Sequence, residues 1–141
     1  MKVQNLFLLL FSCFCLFSCH SSGTWEDDRE NWERAFDLTL PDSIEMKHSW
    51  YWRSPHWSYE CEYFFELEYS KNLEQEFLSA DDLEQIDSSM YYEIEFFHDK
   101  PVWFVPKDYN DYEIWGSWQY ENYYMFIDKK GGSIYFTQYQ I

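Results

Sequence analysis

The sharpest pattern in the chain runs from Glu60 to Tyr69, where Cys61, Tyr63, Phe65, Leu67 and Tyr69 fall on one side and Glu60, Glu62, Glu66 and Glu68 on the other. A two-residue period of this kind predicts a β-strand with one face in the core and one acidic face toward water. Tyr92, Ile94 and Phe96 alternate with Glu93 and Glu95 in the same way and predict another strand. Trp50 to Trp57 is aromatic-dense but interrupted by Pro55, so it reads as a strand ending in a bend or at a sheet edge. Val102 to Val105, bracketed by Pro101 and Pro106, reads as a short strand. Near the C-terminus, Asn122 to Ile127 and Ser133 to Ile141 flank Asp128-Lys129-Lys130-Gly131-Gly132, whose paired glycines supply the positive φ of a hairpin connection.

Helical spacing appears in two places. Trp25, Trp32 and Phe36 share one side of the segment Trp25 to Asp37. Thr24 serves there as a candidate N-cap, and Glu26, Asp27 and Asp28 stand at the positive end of the helix dipole. Leu40-Pro41 ends the pattern, because a residue before proline disfavours the helical region. Leu73, Phe77 and Leu78 predict a second helix within Ser70 to Ser79, with a further helical turn from Asp81 to Ile86, while Tyr109 to Trp118 follows neither period. The elements together predict an α+β domain, a mostly antiparallel sheet of about five strands with an N-terminal helix and a second short helix packed on one face. If the two glutamate-bearing strands pair, Glu60, Glu62, Glu66, Glu68, Glu93 and Glu95 lie on the sheet's exposed face.

The N-terminus has a different texture. Lys2 precedes an uncharged run from Leu6 to Phe17, which ends in Leu16-Phe17-Ser18-Cys19 and then turns polar. The run is shorter than the roughly 20 apolar residues a bilayer span requires, but it has the length of a secretory signal core. Those four residues resemble a bacterial lipobox. The resemblance implies cleavage before Cys19, lipidation of its sulfur and acylation of the new N-terminus. The same letters occur at Leu10 to Cys13, but cleavage there would leave greasy Phe14 to Phe17 on the mature chain, so Cys19 is the better site. His20 follows rather than the Asp that resembles an inner-membrane retention signal, which in a two-membrane bacterium favours the periplasmic face of the outer membrane. The implied organisation is a signal peptide over residues 1–18, a lipidated cysteine and tether over 19–23, and one domain over 24–141.

Charge and aromatic content narrow the functional classes. The 141-residue chain carries a formal net charge of −16 at pH 7, and loss of Lys2 with the leader makes the mature chain more negative. Nucleic acid and anionic lipid are poor partners for such a surface, whereas a cationic protein is a natural one. With 8 Trp, 13 Tyr and 13 Phe, the aromatic supply exceeds what one small core needs, so part of it is expected at the surface. Cys61 stands alone once Cys13 and Cys15 leave and Cys19 is lipidated, which excludes an internal disulfide and makes it a buried small apolar residue.

Candidate chemistry is sparse. Alternating carboxylates on a strand overlap the spacing of a glycosidase pair, yet any wet strand face shows them. Cys61 lacks a recognisable histidine signature, no serine occupies a Gly-x-Ser-x-Gly elbow, and no phosphate loop is present. Asp108 to Glu113 offers oxygen ligands but lacks the glycine of a calcium loop. The expectation is therefore a protein without catalytic activity, cofactor or metal. It reads as an envelope-anchored inhibitor or immunity-like factor that captures a basic protein through Trp50, Trp52 and Trp57 with Glu62, Glu66 and Glu68. Glycan binding or a structural envelope role is the alternative.

Overall fold

The computed structural model describes residues 22–56, 59–80, 83–117 and 122–141. They build one antiparallel sheet from β1 (Gly23–Glu26), β2 (Met46–Arg53), β3 (Cys61–Glu68), β4 (Leu83–Gln85), β5 (Glu113–Ser117), β6 (Tyr123–Asp128) and β7 (Ser133–Gln140). Among the described residues the two α-helices are short, α1 (Asn31–Phe36) and α2 (Lys71–Ala80), and 3-10 turns occupy Ser88–Glu93 and Tyr109–Asp111. The spatial order is β1-β2-β3-β7-β6-β5-β4. After β3 the chain crosses by way of α2 to the far edge of the sheet, then walks back through β5 and β6 until β7 pairs with β3 in full register from Cys61↔Gln140 to Glu68↔Ser133.

This corrects the expected α+β arrangement of about five strands with a leading helix: the domain is β-rich, a seven-stranded sheet with small helices. The N-terminal helix shrinks because Gly23–Glu26 pairs with Trp50–Arg53 as an edge strand, and helix starts only at Asn31. It ends at Asp37, which adopts the left-handed conformation and donates its N–H to the Glu33 carbonyl. Of the expected turn from Asp81 to Ile86, Leu83–Gln85 is instead β4, paired with Trp115–Ser117. Tyr92 to Phe96 is not a strand. Asp87 caps a 3-10 turn by accepting from the Ser89 N–H, and the following residues pack singly rather than pairing. Val102 to Val105 is a turn in which Val105 takes φ 44°, held by Lys100 Nζ donating to the Phe104 and Val105 carbonyls at 2.6 and 2.8 Å. The C-terminal hairpin is as the glycines predict. Gly132 has φ 73°, and a Cβ on Gly131 would collide with the Asp128 carboxylate, which accepts the Gly131 N–H at 2.7 Å.

Both faces of the sheet are covered. On one, α1 and α2 place Trp32, Phe36, Leu73 and Phe77 over Tyr63, Phe65 and Phe136. On the other, the long segment between β4 and β5 lays Ile94, Phe96, Trp103 and Phe104 over Phe64, Phe126 and Tyr135. β3 is consequently buried on both faces from Cys61 through Leu67. The expected wet acidic face of the sheet does not exist, because residues read as independent strands fold back over it.

Candidate functional site

The residues singled out from the sequence divide three ways. Cys19 and Trp57 lie outside the described residues. Trp50 and Trp52 face the side of the sheet covered by the long segment and are half-buried there. The His98 ring packs against both, at 5.5 Å from Trp50 and 4.5 Å from Trp52, while Phe97 lies 5.6 Å from Trp52 and stacks on Tyr139 at 4.4 Å. Glu62 is 1% exposed and Glu66 9%. Glu62 accepts from the backbone N–H groups of Phe97 and His98 and lies within hydrogen-bond distance of His98 Nδ1, and Glu66 accepts from Ser133 Oγ. Glu68 alone reaches solvent, paired with Lys47 Nζ at 2.6 Å. The four described residues other than Glu68 therefore hold the covering segment and the core together rather than forming one open surface.

The open site lies on the helix face. A cleft of about 540 Å³ runs between α1, α2 and the sheet, walled by Trp32, Phe36, Ile44, Leu73, Phe77 and Phe136. Leu38 and Thr39 stand at its rim, with Leu38 67% exposed. The walls follow from local spacing. Trp32 and Phe36 are one helical turn apart on α1, as are Leu73 and Phe77 on α2, so each helix presents two large side chains to the same gap. The floor turns polar toward one end. Ile134, Phe136, Gln138 and Gln140 share a face of β7, and the last two line the cleft or its mouth where Tyr63 also reaches it. Gln138 Oε1 accepts from the Tyr63 hydroxyl at 2.8 Å and from Gln140 Nε2 at 2.9 Å. Among the described lining residues Glu76 is the single carboxylate, and no histidine, cysteine or lysine joins it.

Helical spacing in the sequence already grouped Trp32 with Phe36 and Leu73 with Phe77, although Trp25, grouped with the first pair, lies in β1. The two glutamines were missed, and their signal is that the apolar inward row of the last strand changes to amides at its end. No group of three or more His, Cys, Asp or Glu side chains among the described residues is placed to hold a metal ion. No helix among them is long and apolar enough to cross a membrane. No family model, curated protein or solved structure matches this chain.

Proposed function

We propose that this chain is a lipid-anchored, non-catalytic binding protein of the cell envelope that captures a cationic protein, in the manner of an anchored inhibitor or immunity-like factor. The distribution of charge carries this reading. Against a formal charge of −16, five of the ten basic residues are engaged within the domain. Arg34 pairs with Asp28 and Glu30, Lys47 with Glu68, Lys107 with Asp128, and Lys129 with Glu74 and Glu113. Lys100 is turned onto backbone carbonyls. Glu26, Glu33, Asp37, Asp42 and Glu45 meanwhile stand exposed around β1, α1 and the loop to β2, with Arg29 the one exposed cation in that stretch. Such a field raises the encounter rate with a positive partner and is screened by salt.

Glycan stacking has less support. The exposed aromatic side chains among the described residues are Tyr59, between β2 and β3, and Tyr92 and Phe97, both on the segment between β4 and β5.

The test uses the mature chain with Cys19→Ser as bait against envelope and secreted fractions, at about 50 and 500 mM salt, where the screening length differs several-fold. A basic protein retained at low salt and released at high salt supports the reading. Its on-rate should fall when Glu33, Asp37 and Glu45 are reversed to Lys. An unchanged on-rate in that triple variant defeats it.

A further inference from the structure

The acidic surface and the helix-face cleft meet at the rim of the cleft. We propose that this cleft is the docking pocket for the cationic partner, and that it takes one large apolar side chain flanked in the partner's sequence by lysine or arginine. The proposal rests on the reading of a cationic partner and names the surface that receives it.

The cleft supplies the apolar half. Its rings are held by their own packing: Trp32 lies 4.7 Å from Phe36, Phe36 5.3 Å from Tyr63, and Phe77 5.6 Å from Phe136. A pocket set in this way costs little to order when a side chain enters it. Asp37 ends α1 in the left-handed conformation, and the next residue, Leu38, stands 67% exposed at the rim. The volume of about 540 Å³ lies within the range of small-ligand sites and admits a Phe or Leu side chain.

The rim supplies the charge. Glu76 lines the cleft from α2, while Asp37 and Asp42 adjoin the lining residues Leu38 and Pro41 on the α1 side. All three are exposed, and no ion pair engages them among the described residues. The two cations of α1 and α2 are already turned to other carboxylates, Arg34 to Asp28 and Glu30, and Lys71 toward Glu74. Negative groups therefore stand on both sides of an apolar centre. An anionic ligand is repelled there, and so is a second copy of this chain, which carries −16. An apolar anchor between cations satisfies both parts, as a buried hot spot does inside a polar rim.

The experiment titrates the Cys19→Ser mature chain with an acetylated, amidated pentapeptide that carries Phe between two lysines on each side, and follows the indole resonances. The Trp32 resonance should shift saturably, while those of Trp50 and Trp103, on the other face of the sheet, stay in place. A peptide with Ser in place of Phe should bind at least about tenfold more weakly, the effect of one buried aromatic side chain. The peptide with glutamates in place of the lysines should not bind. Thr39→Trp, at an exposed rim position, should abolish the Trp32 shift. Glu76→Lys should weaken binding about threefold at low salt. Thermal melts confirm that each variant folds.

Absence of saturable binding, equal affinity for the Phe and Ser peptides, or a Trp32 shift that Thr39→Trp leaves unchanged overturns the cleft as the anchor site. Equal affinity for the lysine and glutamate peptides overturns the cationic flank. A Trp32 shift produced by protein concentration alone makes a second copy the occupant and overturns the proposal. A partner captured through charge should keep its on-rate on Thr39→Trp, which retains every carboxylate, and dissociate faster. An unchanged off-rate overturns the cleft and leaves the cationic reading standing. Failure to capture any partner defeats that reading, while the peptide titration still decides what the cleft takes.

Discussion

Glu62 Oε2 lies 2.7 Å from His98 Nδ1, and the two oxygens of the same carboxylate accept the Phe97 and His98 backbone N–H groups at 2.9 Å each, so one buried glutamate of the central sheet pins the segment that covers it. Glu62→Ala should leave these donors without an acceptor and cost about 3 kcal/mol, the scale of a buried polar cluster losing its partner. Glu68→Ala removes a carboxylate of the same alternating row, but its Lys47 partner is at the surface, and the loss should stay below about 1 kcal/mol. Urea denaturation of both variants checks the contrast. Equal losses would mean that Glu62 does not anchor the segment.

Cys61 is buried and free, with its Sγ 3.5 Å from Gln140 Oε1. Burial pushes its thiol above the usual range, with the Tyr51 side chain and then the Arg53 charge opposing only in part. A thiol reagent should therefore label the native protein at the rate of its opening and the unfolded chain at once. Fast labelling of the native state would place Cys61 outside the core.

Acid should weaken the hairpin end of the sheet. Desolvation raises the Asp128 carboxyl, but the Lys107 hydrogen bond and the Gly131 and Lys130 amides outweigh it and hold the group below its usual range. The unfolded chain, with an Asp pKa of about 3.9, then takes up the proton first, so the contribution is complete above that pH and disappears as the pH falls through the lower folded value. Asp28 and Glu74 are lowered too and act in the same direction. Stability measured by urea from pH 7 downward should drop below about pH 4, and Asp128→Asn should flatten that limb. A variant with the same acid slope as the natural protein would exclude the assignment.

Base should act through the phenols. Burial pushes Tyr135 up to about 12, against the opposing Ser133 hydrogen bond. It also raises Tyr51, Tyr109, Tyr112 and Tyr124. The unfolded chain loses these protons near pH 10, so the folded state's advantage is intact below that value and is lost as pH rises through the higher folded pKa values. Ultraviolet phenolate absorbance should show one exposed class titrating near pH 10 and a second class rising together with loss of the near-ultraviolet dichroism. Titration of every tyrosine as one free class in a folded protein would contradict this packing.

Local pattern was informative where local forces decide. The strand at Cys61–Glu68, the helix at Lys71–Ala80 and the Asp128 to Gly132 hairpin were readable because a two-residue period, a helical stripe and paired glycines each need nothing distant. Tyr92–Phe96 misled for the opposite reason. Its alternation is real, but a strand needs a neighbour to accept its ladder, and here Phe96 instead packs against Phe64 and Phe104 and Ile94 joins the same cluster, while Tyr92 stays exposed.

The chain by itself determined which residues are apolar, where several turns fall and how negative the protein is. Tertiary structure decided which face of each strand meets water. Glutamates two apart look solvent-facing in any sequence, yet Glu62 and Glu66 are interior because segments distant along the chain supply their hydrogen-bond donors. The cleft is equally non-local, since its walls come from α1 and α2 and its floor from β3 and β7, brought together when β7 closes the sheet against β3.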